Sequence, residues 1–383
     1  MNFYNRVQKF NRLGKESCFL WGPRQSGKST LLKKMFPNAT YYDLLLSNEY
    51  ARLNRNPSLL REEILASVDS RGPIIIDEVQ KVPALLDEIH WLIVNHEKQF
   101  ILSGSSARKL KRSGANLLGG RAIRYELFPL TFHEIPDFNL FTSLNHGMLP
   151  RHYLSSQPQD LIAAYIGDYL KEEIAQEALT RNIPSFSRFL EAAAFSNGEM
   201  VNFKNVASEC GVSAVTVKEY FQILEDTLIG KLLFAYQKRP KRRVIQAPKF
   251  YYFDVGIANF LLKRGPIVQH SESFGKAFEH FIFQELRAHS HYSGLNYPIT
   301  TWRTASQLEV DFILGDHQVA LEVKGVDQAQ SRHLTGLRAF QEEYKTQHSI
   351  AVTLDPRPRL IGNSSILPWE LFLKKLWNNE IIG

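Results

Sequence analysis

Residues 22–30 read GPRQSGKST and fit the spacing G-x-x-x-x-G-K-[ST]. The apolar segment SCFLW precedes this stretch and predicts a short buried strand, and LLKKMF after it predicts a helix. A glycine-rich turn between a strand and a helix directs backbone N–H groups and the positive end of the helix dipole toward an anion. The stretch therefore predicts an α/β fold with a parallel sheet and a phosphate-binding loop.

The loop predicts a bound nucleotide, ATP, together with Mg²⁺. The ammonium group of Lys28 is expected to reach the β- and γ-phosphates, and the hydroxyl of Ser29 is expected to ligate Mg²⁺. The rest of the loop is expected to wrap the phosphates with backbone groups. The predicted nucleotide contacts are Gly22, Pro23, Arg24, Gln25, Ser26, Gly27, Lys28, Ser29 and Thr30.

Two further segments predict the remainder of this site. The β-branched run IIIDE, residues 74–78, indicates a buried parallel strand that ends in two carboxylates, at the sheet edge where such folds hold ligands. Asp77 is expected to hold Mg²⁺ through water, and Glu78 is expected to polarise the attacking water, which favours hydrolysis. The next predicted strand ends in SGSS, and Ser103 or Ser105 is the candidate to sense the γ-phosphate.

Four stretches carry a resemblance to a known family. GPRQSGKST, IIIDEVQKVPALLDEI, FILSGSSARKL and GGRAIRYELFPLTFHEI follow in order the pattern of a prokaryotic AAA-type ATPase family with a C-terminal domain of unknown function, DUF4143. The resemblance covers nearly the whole chain and implies an AAA+ fold, ATP hydrolysis and a homo-oligomer, such as a ring. Arg121, in the fourth stretch, would complete a neighbouring subunit's site in trans or form a structural ion pair, and both interpretations stay open.

Length and composition limit the class of protein. The chain has 383 residues, which favours two or three domains, and 44% hydrophobic residues, which is enough to bury real cores. No stretch is apolar enough for a membrane span, the first residues are too polar for a secretory leader, and the two cysteines fit a reducing cytoplasm. A net charge of +7 favours an acidic partner such as DNA, although a generally basic protein explains it about as well.

The middle of the chain predicts a helix-turn-helix followed by a basic segment. NVASECGVSAVTVKEYFQILE indicates two helices around a glycine-containing turn, with a core that includes Val215 and Phe221. A winged helix would place the basic run 238–243 on its wing. It would bind DNA by shape and charge, since the second helix offers few side chains that could hydrogen-bond to base edges. The alternative is a module for protein contacts or a lid of the ATPase. The predicted DNA contacts are Lys218, Lys238, Arg239, Lys241, Arg242 and Arg243.

The C-terminal hairpin LEVDFILGDHQVALEVKG, residues 308–325, places acidic residues opposite an apolar face. Strand alternation assigns Leu308, Val310, Phe312 and Leu314 to one face and predicts that Asp311, Glu322 and Lys324 share the other. An upstream helix, predicted at 273–288, adds Glu279 beside its apolar stripe.

This order of helix, three strands, helix and strand resembles the PD-(D/E)xK nuclease superfamily. The resemblance implies that Glu279, Asp311 and Glu322 hold one or two Mg²⁺ ions and that Lys324 orients or deprotonates the attacking water. Two departures weaken it: Val310 replaces the usual proline, and the helix lacks a clear Gln-x-x-x-Tyr motif.

We therefore predict three domains: an AAA+ P-loop domain at 1–150, a helical linker with a winged helix at 151–248, and a PD-(D/E)xK restriction-endonuclease-like domain at 249–383. The predicted function is ATP hydrolysis coupled to DNA engagement and to Mg²⁺-dependent cleavage. The alternative is a nucleotide-dependent switch that binds protein partners and carries an inactive nuclease-like domain.

Overall fold

The computed structural model describes residues 4–11, 16–67, 72–108, 110, 118–167, 169, 183–238 and 241–383. The chain forms two compact units. The N-terminal unit comprises Gln8–Pro129 and Asp226–Leu228, and the C-terminal unit comprises Leu130–Glu225, Ile229–Gly383 and a short segment that ends at Val7. Among these described residues, none of the helices combines the length and apolarity that a bilayer crossing requires.

The N-terminal unit is built on a parallel five-stranded sheet in the order β2-β3-β4-β1-β5. β-Branched and aromatic residues fill its central strands because both faces are buried. The carboxyl ends of β1, β3 and β4 lie at one edge, since Trp21 pairs with Gly104 and Asp77 pairs with Ser103. The strands are β1 (Ser17–Trp21), β2 (Thr40–Asp43), β3 (Ile74–Asp77), β4 (Phe100–Gly104) and β5 (Ala122–Glu126), and the helices are α1 (Lys28–Met35), α2 (Ser47–Arg55), α3 (Ser58–Ala66) and α4 (Leu85–His96).

The first part of the C-terminal unit is helical and ends in a small antiparallel sheet. Gly211 has a φ of 67° between two helices, and the Ser213 hydroxyl accepts a hydrogen bond from Thr216 N at 3.0 Å, as the predicted helix-turn-helix requires. Phe221 lies in the core, but the prediction for Val215 is wrong, because its side chain is 67% exposed. The helices are α5 (Leu140–His146), α6 (Pro150–Tyr153), α7 (Pro158–Ala164), α8 (Ile183–Phe195), α9 (Phe203–Cys210) and α10 (Ala214–Asp226), and β6 (Glu199–Met200), β8 (Lys249–Tyr252) and β7 (Gly230–Leu233) pair in that order.

The second part of this unit is a mixed sheet in the order β13-β14-β12-β11-β10-β9. Strands β9, β10 and β11 are antiparallel neighbours, whereas β12 runs parallel to β11. The predicted upstream helix is confirmed and continues to Tyr292. The strands are β9 (Ile299–Arg303), β10 (Glu309–Leu314), β11 (Val319–Val323), β12 (His348–Thr353), β13 (Arg359–Ile361) and β14 (Ser364–Pro368), and the helices are α11 (Val255–Leu261), α12 (Glu272–Tyr292), α13 (Thr335–Gln341) and α14 (Trp369–Trp377).

The hairpin departs from strict alternation. Phe312 and Leu314 belong to the core that includes α12, but Val310 lies with Ile313 in the core that includes α13. The pairing of β10 with β9 shifts register between Val310 and Ile313, which places these two residues on the same side. The prediction that Val310 shares a face with Phe312 is therefore wrong, and both faces of the hairpin are buried.

Candidate functional sites

The loop between β1 and α1 has the backbone geometry of a phosphate-binding loop. Gln25 and Gly27 adopt positive φ values of 62° and 94°, which turn the chain sharply into α1. Gly22 approaches its neighbours so closely that a Cβ there would lie 2.5 Å from Leu127 O. Pro23, Arg24 and Ser26 lie in this loop, whereas Ser29 and Thr30 lie in the first turn of α1.

Lys28, the first residue of α1, is buried and folds back over the loop. Its ammonium group donates hydrogen bonds to Gly22 O at 2.8 Å and to Pro23 O at 3.1 Å. Burial lowers the pKa of Lys28, although Glu78 and Asp77 act in the opposite direction. The ammonium of Lys28 therefore rests against two carbonyl groups of the loop.

Asp77 ends β3 and is fixed from both sides. Its carboxylate accepts hydrogen bonds from the hydroxyls of Tyr41 and Ser103, and burial together with Asp77 raises the pKa of Tyr41. The structure thus places Ser103 beside the predicted Mg²⁺ residue. Tyr41 was missed by sequence reasoning, since nothing in TYYD marks one tyrosine as a partner of a residue 36 positions later.

Glu78 adopts a left-handed conformation, with φ 58° and ψ 42°, which turns it away from the strand direction. The amide of Gln80 donates to the Glu78 carboxylate and to Ser105 Oγ, the latter at 3.2 Å. Gly104 leaves room for this amide, because a Cβ there would lie 2.2 Å from Gln80 Oε1. Gln80 therefore joins the candidate water-polarising residue to the neighbouring strand end, a role that sequence reasoning did not assign.

Arg121 follows the short 3₁₀ turn Leu118–Gly120 and is exposed. Its backbone N–H donates to Leu118 O at 2.9 Å. Exposure agrees equally with a role toward a neighbouring subunit and with a surface position, so its assignment stays a prediction.

A second site is a cleft of about 600 Å³ in the C-terminal unit, lined by the predicted acidic set. Glu279 comes from α12, Asp311 from β10, and Glu322 from β11, with Lys324 just beyond that strand. The Lys324 ammonium lies 2.5 Å from Glu322 Oε1 and 4.0 Å from Asp311 Oδ2. The structure thus brings together all four residues that the hairpin and helix patterns selected.

The cleft also contains residues that sequence reasoning missed. Lys249, at the start of β8, places its ammonium 2.7 Å from Glu309, 3.1 Å from Glu279 and 3.6 Å from Asp311. The hydroxyl of Tyr251, two residues later on β8, donates to Glu279. The sequence does contain a signal for Lys249. It begins the aromatic strand KFYY, and a buried ammonium needs carboxylate partners.

Carboxylates outnumber cations in the cleft. Those of Glu279, Glu309, Asp311 and Glu322 lie around the ammonium groups of Lys249 and Lys324, and Arg303 also lies 3.5 Å from Glu309. The rest of the lining adds the carboxylates of Glu199 and Glu272 and the cations of Lys276 and Arg332. Burial, with Asp311 nearby, raises the pKa of Glu279 to about 7 and that of Glu322 well above its usual range. Among the described residues, Glu322 Oε2 is buried without a hydrogen-bond partner.

These features fit a divalent cation chemically, since Mg²⁺ takes carboxylate oxygens and would use the partnerless oxygen. No three His, Cys, Asp or Glu side chains within the described ranges form a ready-made metal cage, however. The ammonium of Lys249 lies among three of these carboxylates, 2.7 Å from Glu309, 3.1 Å from Glu279 and 3.6 Å from Asp311.

The predicted DNA contacts have different surroundings. Lys238 pairs with Asp316, and Arg242 pairs with Glu342 and, at 2.7 Å, with Glu343. Lys241 and Arg243 are exposed, although Lys241 also donates to Glu342 O at 3.4 Å. The ammonium of Lys218 lies 5.5 Å from the Phe203 ring centre, and Arg239 falls outside the described residues.

Three family models match successive parts of the chain. Residues 14–136 match an AAA domain, residues 138–267 match a domain of unknown function named DUF8612, and residues 274–372 match a domain of unknown function named DUF4143. The predicted AAA and DUF4143 domains are thereby confirmed, and the AAA domain indicates nucleotide-dependent ATPase activity with ATP binding.

Two curated relatives extend over most of the chain. An uncharacterized protein of Haemophilus influenzae is 21% identical over 295 residues, which are 69% of this chain and 72% of that protein. An uncharacterized protein of Methanocaldococcus jannaschii is 23% identical over 340 residues, which are 79% of this chain and 73% of that protein. Similar chains therefore occur in a bacterium and an archaeon.

Proposed function

We propose that this protein hydrolyses ATP, engages DNA, and cleaves it at the carboxylate cleft with the help of Mg²⁺. One observation carries the cleavage proposal. Glu279, Asp311 and Glu322 reach a single cleft from three separate elements, together with Lys324, and one buried carboxylate oxygen there has no partner among the described residues. Such a gathering of acids is unfavourable unless a cation compensates it.

The topology around the cleft supports a nuclease-like fold. Helix α12 precedes three antiparallel strands, and β12 adds in parallel after α13. This is the order that the PD-(D/E)xK resemblance implies, and it places Asp311 and Glu322 on adjacent strands.

Glu279, Asp311 and Glu322 would hold the Mg²⁺ ion, which when bound supplies Lewis-acid stabilisation of a phosphodiester's developing charge. Burial lowers the pKa of Lys324, but Asp311 and Glu322 outweigh it, so that its pKa lies above the ordinary value. We infer that Lys324 orients the attacking water or removes its proton, and that its charge steadies the negative charge that develops.

In the N-terminal unit, Lys28 and the loop backbone would bind the phosphates, Ser29 and Asp77 would hold Mg²⁺, and Glu78 would polarise the attacking water. The link from Glu78 through Gln80 to Ser105 supports this assignment, because it ties the water-polarising group to the strand end expected to sense the γ-phosphate. We propose that this cycle acts in a homo-oligomer and controls DNA engagement.

The exposed cations Lys218, Lys241 and Arg243 are the DNA contacts we retain, by charge alone. The ion pairs of Lys238 and Arg242 favour the second candidate function, a nucleotide-dependent switch that binds protein partners. In that case the basic segment would serve contacts within the chain.

A cleavage assay tests the proposal. The full chain is incubated with supercoiled and linear DNA, Mg²⁺ and ATP, and Glu322→Gln and Lys324→Met are each expected to slow cleavage by about 100-fold, as expected for groups that stabilise developing charge. Lys375→Met is the matched control, because Lys375 is an α14 lysine paired with Glu380 outside the cleft.

Absence of cleavage by the wild type, or cleavage by both cleft variants at the wild-type rate, would contradict the nuclease proposal. An ATP-dependent change in oligomer size without DNA affinity would support the switch instead.

A further inference from the structure

The two faces of strand β8 contact different cores of the C-terminal unit. Phe250 and Tyr252 are buried in the core that contains the helix-turn-helix residues Val206 and Phe221. Alternation along a strand sends Lys249 and Tyr251 to the opposite side, where Tyr251 packs in the core of α12. The strand pairs with β6 and β7 and not with the sheet that carries Asp311 and Glu322. Lys249 is thus supplied to the cleft from a separate sheet.

The side chain of Lys249 is only 3% exposed, and its ammonium meets three carboxylates within 3.6 Å. A buried ammonium with carboxylates on three sides is a fixed internal cation. Its neighbours include Glu279, at 3.1 Å, and Asp311, at 3.6 Å, two of the three residues that would hold a metal ion.

We propose that Lys249 competes with a divalent cation for Glu279 and Asp311 and so sets the metal affinity of the cleft. The ammonium lies 3.1 Å from Glu279 and 3.6 Å from Asp311, whereas Mg²⁺ requires oxygens at about 2.1 Å, so one arrangement excludes the other. Repulsion between the two cations adds to this exclusion. The inference rests on the proposed metal site, but it concerns how tightly the cleft binds metal and not whether it cleaves DNA.

Calorimetric titration of the full-length protein with Mn²⁺ tests the proposal without an activity readout. Lys249→Met is expected to bind Mn²⁺ about tenfold tighter or more than the wild type, because a competing charge within 4 Å is removed. Lys276→Met is the matched control. Lys276 lines the same cleft but pairs with Glu199 and Glu272, and its removal should change the affinity by less than about twofold, as for an exposed ion pair.

Lys249→Met leaves three carboxylates short of a cation and risks misfolding. The double variant Lys249→Met with Glu309→Gln removes one charge of each sign. It is titrated instead if the single variant does not fold. A larger Mn²⁺-dependent rise in Tm than in the wild type is the second readout.

Tighter binding by either variant supports the proposal, including the case where the wild type binds no Mn²⁺. Equal affinity in the wild type and the variants would overturn the role of Lys249 while leaving the metal site intact. Absence of binding in all of them would overturn the metal site and the proposed cleavage together.

Discussion

The phosphate-binding loop and the carboxylate cleft assemble charge in opposite ways. In the loop site, Lys28 rests on two carbonyl oxygens, and Asp77 accepts from Tyr41 and Ser103. In the cleft, the carboxylates of Glu279, Asp311 and Glu322 pair with Lys249 and Lys324, and Glu322 keeps a buried oxygen that has no partner in the described part of the chain. The loop site is organised largely by the backbone of one continuous segment, whereas the cleft is assembled from charged side chains on separate segments.

The largest effect is expected in the loop. Lys28→Met should lower ATP turnover by about 100- to 1,000-fold, because the lost ammonium is the charge that we propose to stabilise the transferring phosphate. Steady-state phosphate release measures this change. Lys34→Met, on the exposed side of the same helix α1, should stay within about twofold, as a surface change normally does. Comparable losses in both variants would mean that ATP turnover depends on the integrity of helix α1 and not on the ammonium group of Lys28.

An intermediate effect is expected from a buried acid outside the cleft. Glu285 is 1% exposed and accepts from Phe132 N and from Trp377 Nε1, both at 2.8 Å. Burial raises its pKa from 4.5 to about 8. The folded state thus keeps a proton that the unfolded state releases, so this acid's stabilising contribution is full below pH 4.5 and disappears as pH rises through 8.

Denaturant unfolding of the wild type and Glu285→Gln at pH 5, 6 and 7 measures this contribution. The difference in the free energy of unfolding should fall by about 1.4 kcal/mol per pH unit, or 2–3 kcal/mol in total. Burial lowers the pKa of His280 and of His289 to about 4, so their contribution to the pH dependence of stability has the opposite sign. Because both proteins contain these histidines, this contribution cancels in the difference. A difference that stays constant with pH would show that Glu285 is ionised in the folded chain.

The smallest effect tests how tightly the loop site is organised. Gly104→Ala would push a Cβ against Gln80 Oε1 and the Trp21 ring, at 2.2 and 2.7 Å, and displace the amide that holds Glu78. We expect kcat for ATP to fall about tenfold with little change in KM, since ground-state binding is untouched. Gly265→Ala is the control, because its Cβ would meet nothing within 4 Å. A rise in KM alone would contradict a role for Gln80 in positioning Glu78.

The same contrast explains what the sequence could reveal. The predicted strand SCFLW coincides with β1, and the loop residues follow it directly, because a phosphate-binding loop is encoded in consecutive positions. The cleft residues Asp311, Glu322 and Lys324 were found from a hairpin whose partners are about ten residues apart. Both cases rest on short-range geometry, which a single sequence contains.

Long-range partners were the part that a single sequence does not contain. The carboxylates that meet Lys249 are 30 to 62 residues away, and Glu343, the partner of Arg242, is 101 residues away. The register shift at Val310 also escaped prediction, because a bulge breaks the two-residue period on which alternation depends. Contacts between residues far apart in the sequence, and local irregularities within a strand, are therefore what could not be predicted from this sequence.

Strand β8 has a practical meaning for anyone who wishes to isolate the C-terminal region. The DUF4143 match begins at residue 274, which lies after the strand that carries Lys249 and Tyr251. A fragment cut at that boundary would keep Glu279, Asp311 and Glu322 but lose one of the two ammonium groups that compensate them. Its behaviour toward metal ions and pH would then be that of an altered site, whereas a fragment that starts before β8 retains the strand's own side chains.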